Sequence, residues 1–284
     1  MGNVFQIILN GLSQGGVYAL IALGYTLVYG IAKMLNFAHG DLIMVGGYTV
    51  YVTFGLMGFP LIAIIFAVVF CTILGICVEK FAYKPLRGAS PLAVLITAIG
   101  VSYLLQSLAF LIFKSNPRMI DLFPGLSTNQ KTIITLVTAL VVMAALTLFI
   151  NFTRIGKAMR AVSEDKGASQ LMGINSNMII SITFAIGSAL AAIAGAFYLL
   201  KTPAVTYTMG SMPGIKAFTA AVIGGIGSIP GAMVGGLLLG LIEEICSSIP
   251  GLSSYTIAIE FGILIIILLV RPSGILGKKR REKV

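Results

Sequence analysis

Six stretches of this 284-residue chain contain no Asp, Glu, Lys or Arg: residues 1–32, 42–78, 92–113, 132–150, 179–200 and 217–242. A bilayer's hydrocarbon core is crossed by about 20 apolar helical residues, so each run has room for at least one span. No water is available inside lipid to satisfy the peptide groups, and a chain with repeated runs of this kind must close its own hydrogen bonds as helices. The expected fold class is therefore an all-α polytopic membrane protein. Charged residues make up 10% of the chain, far below the about 25% of a soluble globular domain. Soluble structure would have to come from the gaps, and the longest, 114–131 and 151–178, are too short to fold alone.

One transmembrane domain is thus expected over 1–284, and it leaves no room for a nucleotide-binding domain. No G-x-x-x-x-G-K-[ST] phosphate loop is present in the sequence. The expectation is a chain that binds no cofactor or metal, has no catalytic residues and uses no ATP of its own. The net charge of +10 is read as Lys and Arg holding loops on the cytoplasmic side, with a lipid bilayer and no nucleic acid as partner. Cys71, Cys77 and Cys246 lie in apolar sequence without metal-ligand spacing and read as packing residues. The start of the chain lacks a basic region and an A-x-A-like site ahead of its apolar run, so it reads as a retained first span.

The predicted spans are 5–31, 40–57, 61–78, 92–113, 132–150, 179–200 and 256–271, with a further stretch, 217–248, too long for one span. Gly224, Gly225, Gly227 and Pro230 interrupt that stretch, and a Pro without its N–H among glycines breaks a helix. It divides into a short 217–228 and a fuller 230–247, giving about 8–9 transmembrane segments with a broken helix near 224–231. Basic loops 79–90 and 151–178 and the basic tail 272–284 set the orientation. Nine segments place all three in the cytoplasm with the N-terminus outside; eight crossings with a re-entrant 217–228 are the rival.

Ionisable groups near spans are functional candidates because burial in lipid costs them dearly. Asn36, His39 and Asp41 precede span 2, and Asp41 reads either as an N-cap at the membrane boundary or as a substrate or gate contact on a broken helix. The 224–231 cluster reads either as close packing with a kink or as exposed backbone on a substrate path, a device of transporters. Glu243 and Glu244 read as interface anchors, and Glu260 as a helix–helix hydrogen bond or a near-surface group. In the loop 151–178, a short helix is predicted over 157–172 with Met159, Val162, Leu171 and Met172 on its apolar face. Gly173 is suited to stop it.

Four stretches carry a resemblance. Arg154-x-Gly156-x-x-x-Arg160, Glu164-Asp165-x-x-Ala168 and Met172-Gly173-Ile174-Asn175 resemble the cytoplasmic coupling loop of branched-chain amino acid permeases of ABC transporters, LivH type. Leu35-Asn36-Phe37-Ala38-His39-Gly40-Asp41, the glycine cluster from Ala221 to Gly231, and Arg271-Pro272-x-Gly274-x-Leu276-Gly277 match the same family in order and spacing. The resemblance implies an ABC importer permease fold in the bacterial inner membrane. It implies as partners a second related permease subunit, two cytoplasmic ATPase subunits that use ATP, and an extracytoplasmic substrate-binding protein. It places Arg154, Gly156, Arg160, Glu164, Asp165, Ala168 and Gly173 against the ATPases. It also implies leucine, isoleucine and valine as substrates, with urea or short amides as the alternative within the family. An ion-gradient-driven secondary transporter would need paired acids deep in its spans, and a membrane enzyme would need more than one His and dispersed acids.

Overall fold

The computed structural model describes residues 2–277, and the part of the basic tail at 278–284 lies outside the described residues. Eight helices among the described residues are long and apolar enough to cross a bilayer. They are α1 (Gly2–Ala32), α2 (His39–Met57), α3 (Pro60–Val78), α4 (Pro91–Phe113) and α5 (Thr128–Phe152), followed after a gap by α8 (Ser176–Lys201), α10 (Ile229–Ser248) and α11 (Thr256–Val270), the last reaching 18 residues with the 3-10 turn Ser253–Tyr255 that leads into it. Between α5 and α8 lie two short helices, α6 (Arg154–Glu164) and α7 (Lys166–Leu171). The remaining helix, α9 (Ser211–Gly224), has 14 residues, about 21 Å at 1.5 Å per residue. It is too short to cross alone.

The core is built around α1. Residues Val17 to Leu23 are almost fully buried, and α10 runs antiparallel beside them. At this seam there is no room for side chains: a Cβ on Gly15 would lie 2.7 Å from the Leu237 Cα, and one on Gly11 would lie 3.1 Å from the Leu241 Cα. In lipid, where apolar surface gains little by leaving the solvent, this close backbone approach is what dispersion can exploit. A second small-residue contact joins α2 and α8, where a Cβ on Gly46 would meet the Ala192 Cα at 2.9 Å.

The bundle has two distinct ends. At one, Val28 and Ile31 of α1, Tyr83, Val94, Met159 and Val162 of α6, and Ile179 and Ile180 of α8 form a buried cluster. At the other, β1 (Arg118–Met119), after α4, pairs antiparallel with β2 (Ala204–Val205), after α8. The N-terminal half of α1 belongs to the β end, because Asn10 donates to Glu244 (3.1 Å), which pairs with Lys201 at the end of α8. The close of α11 belongs to the α6 end: Ile275 and Leu276 donate to the carbonyls of Ile223 and Gly224 (both 2.9 Å), and Gly227 lies against Gly30.

These contacts give the chain nine legs, the seventh made of the lead-in 202–210 and α9. The structure corrects the predicted short segment 217–228 at both ends. The helix begins at Ser211 and takes in Lys216, which charge-free counting had excluded, and it ends at Gly224. The break at 224–231 does not interrupt one helix in mid-membrane. It is a hairpin turn between antiparallel α9 and α10, at the α6 end of the bundle.

Candidate functional site

The α6–α7 face is the first candidate. Thr153 caps α6 by accepting from the Gly156 N–H at 3.0 Å, and Asp165 caps α7 by accepting from the Ala168 N–H at 2.9 Å. A capping aspartate needs extended backbone, so the predicted single helix 157–172 is two helices with a corner at Asp165. Gly173 has φ +81°, a left-handed stop that a side chain would strain. Gly156 is pressed on the Ile150 backbone, where a Cβ would lie 2.6 Å from the carbonyl carbon. Met159 and Val162 pack inward, while Leu171 and Met172 are 91% and 82% exposed. The predicted apolar face is therefore split: half anchors α6 to the bundle and half is displayed. Arg154, Arg160, Glu164, Asp165 and Ala168 are exposed on the same surface.

Beside α6–α7, a polar clasp holds the loop after α3. The π turn Glu79–Tyr83 carries the buried Glu79, which pairs with Arg87 and accepts from Ser181 Oγ at 2.7 Å. Arg87 also donates to Asn177 on the first turn of α8. The sequence reading placed Glu79 and Arg87 only within the basic loop 79–90 and missed this clasp.

The second candidate lies where α2 begins. Segment 33–38 turns back into the bundle, and His39 packs on Gly24 and against the Tyr25 ring (4.7 Å between centroids). Helix α2 thus starts level with Gly24, not at the boundary. Ala38 holds the N-cap position without a side-chain cap, so the N-cap reading of Asp41 is corrected. Asp41 is 2% exposed and accepts from Gln106 Nε2 of α4 at 2.8 Å. No ion pair to it forms among the described residues. Asn36, also buried, accepts from the Tyr83 hydroxyl at 2.7 Å, which ties this turn to the π turn.

The glycine cluster is closed by packing. Gly225 and Gly227 have φ +108° and +93°, Ser228 caps α10 through the Gly231 N–H at 3.2 Å, and Pro230 sits in its first turn, where no N–H is needed. A Cβ on Gly225 would meet the Gly277 Cα at 2.6 Å. The structure therefore does not bring Gly224, Gly225, Gly227 and Pro230 together with His39 and Asp41. The His39–Asp41 turn lies level with Gly24 of α1, and the glycines lie nearer its C-terminal end, at Gly30.

The sequence reading missed a third group. Lys216 of α9, 8% exposed, reaches Glu243 of α10 at 2.8 Å and Glu260 of α11 at 3.2 Å. Lys216, left outside the predicted spans, and Glu243, read as an interface anchor, meet Glu260, for which a helix–helix hydrogen bond is one of the two expected roles. The signal available in sequence was that Lys216 stands directly before the charge-free run 217–242 that Glu243 ends.

With the geometry in place, comparison with known proteins is direct. The chain is 44% identical to the high-affinity branched-chain amino acid transport system permease protein BraD of Pseudomonas aeruginosa, covering 98% of this chain and 97% of that one. It is 42% identical to the corresponding LivH permease of Escherichia coli over the same shares. Among solved structures, PsaBC from Streptococcus pneumoniae in complex with Fab aligns at a TM-score of 0.52 and 15% identity, covering 93% of this chain and 91% of that one; at that identity it shows the fold alone. Residues 7–269 match the family described as branched-chain amino acid transport system, permease component, and the chain, a multi-pass membrane protein, belongs to that family.

Proposed function

We propose that this chain is the membrane subunit of an ATP-driven importer that carries leucine, isoleucine and valine across the inner membrane. The observation that carries the reading is 42–44% identity to two branched-chain amino acid permeases over nearly the whole of each chain. The α6–α7 face is the contact for two cytoplasmic ATPase subunits, and the β end receives substrate from an extracytoplasmic binding protein. A second related permease completes the channel. The positive charge of the basic loops and tail supports a cytoplasmic α6 end and an outer residue 4.

Mechanically, α6 is suited to transmit work. Met159 and Val162 lock it to the ends of α1 and α8, and the Glu79–Arg87 clasp fastens the adjoining loop to α8. Force on the exposed corner at Glu164–Asp165 therefore reaches packed helices rather than a slack loop. ATP binding by the partners would shift the equilibrium between inward- and outward-open arrangements, as far as it favours one over the other.

The test is Glu164→Trp in the reassembled importer. Glu164 is exposed, so membrane insertion should be normal, while ATP-dependent leucine uptake in proteoliposomes should fall at least about tenfold, ~1.4 kcal/mol in barrier terms. Undiminished uptake would show that this corner does not couple to ATP hydrolysis.

A further inference from the structure

Between α1, α8, α9 and α10 lies a pocket of about 140 Å³. Its inner wall holds Lys216 and Glu243, with Tyr18 and Gln14 of α1 beside them, and its mouth lies at Thr202, an exposed residue at the β end. Met212 supplies apolar lining. Burying a carboxylate is tolerated when its oxygens are paired or hydrogen-bonded, and in this wall only one oxygen of each carboxylate is paired, both on Lys216. Glu243 Oε2 and Glu260 Oε2 are both buried without a hydrogen-bond partner, and Glu260 is 1% exposed. Two carboxylates face one ammonium here, and Lys201, paired with Glu244, lines the same pocket. Lys216 has three donors, of which Glu243 and Glu260 take two.

We propose that this pocket is a docking site for a zwitterion, an α-amino acid whose ammonium is taken by Glu243 and whose carboxylate is taken by Lys216. Glu260 keeps Lys216 in place while Glu243 turns to the incoming ammonium, and Met212 and the Tyr18 ring receive an aliphatic side chain. The site exchanges one internal ion pair for two pairs to the substrate, so it favours a molecule with both charges over an amine, an acid or a neutral amide. It lies apart from the His39–Asp41 turn and the glycine hairpin. The inference rests on the amino acid importer reading and sharpens it, since urea and short amides lack both charges.

The experiment uses the importer assembled with its partner subunits in phosphatidylglycerol nanodiscs, without the binding protein. Radiolabelled leucine is competed by unlabelled leucine, isoamylamine, which lacks the carboxylate, and isocaproate, which lacks the ammonium. Leucine should compete at least tenfold better than either analogue. Glu243→Gln should bring leucine down to the level of isocaproate, and Lys216→Gln down to that of isoamylamine, a split that a merely structural role would not produce. Should the buried substitutions prevent assembly, Thr202→Trp fills the mouth and leaves the ion cluster intact; it should abolish leucine binding. Equal competition by the three compounds, binding unchanged in Thr202→Trp, or no saturable leucine binding to the wild-type importer would each overturn the proposal. Absence of ATP-driven leucine uptake by the wild-type importer is a separate result and would sink the importer reading instead.

Discussion

Helices α1 and α4 are both long, uncharged and capable of spanning a membrane, yet 83% of an apolar 18-residue stretch of α1 is buried against 17% of one in α4. The more apolar of the two is the exposed one. In water the order would be reversed. Here the surroundings are already hydrocarbon, so large apolar side chains such as Leu104 and Leu111 of α4 face outward, and the centre goes to the helix whose small residues let others approach.

The largest expected effect tests that contrast directly. Gly15→Leu would drive a side chain into the Leu237 backbone and should eliminate nearly all monodisperse protein in fluorescence-detected size exclusion. Gly100→Leu, on α4 with nothing within 4 Å of its would-be Cβ, should leave the profile unchanged. Equal tolerance at both sites would dissolve the distinction between centre and periphery.

Next in size is the charge buried in the central half. Lys216→Met would strand Glu243 and Glu260 without their cation, and breaking a buried pair costs about 3–5 kcal/mol. Thermal unfolding in detergent should show a large drop. The smallest effect belongs to the exposed pair of Asp121 and Lys131 (2.7 Å). The hydrogen bond from Lys131 holds the Asp121 carboxyl below its ordinary range. Its contribution is complete above the ordinary carboxylate range and fades as pH falls through the lowered value. Asp121→Asn should cost less than about 1 kcal/mol at neutral pH and nothing in acid, read from the same melts.

The spans were legible because lipid demands length and apolarity, which are local. Predicted boundaries such as 61–78 and 92–113 fall within a residue of α3 and α4. What was not legible depends on partners distant in the chain. The need of Lys216 for Glu243 and Glu260 is met only once α9, α10 and α11 are side by side, so a rule that ends spans at charges placed it outside. An N-cap stood as one of two readings of Asp41 because the return of 33–38 into the bundle is set by His39 packing on Gly24, with no local signature. On the α6–α7 face the corner at Asp165 was not legible because it comes from a cap competing with helix continuation.

The described chain begins at the β end and finishes, after nine legs, at the opposite end. Joining residue 277 of one copy to residue 4 of another would require the linker to travel back through the bilayer. A tandem gene fusion of two such subunits could therefore not work with a simple tether and would have to add a helix. Two separately translated polypeptides avoid that topological obstacle altogether.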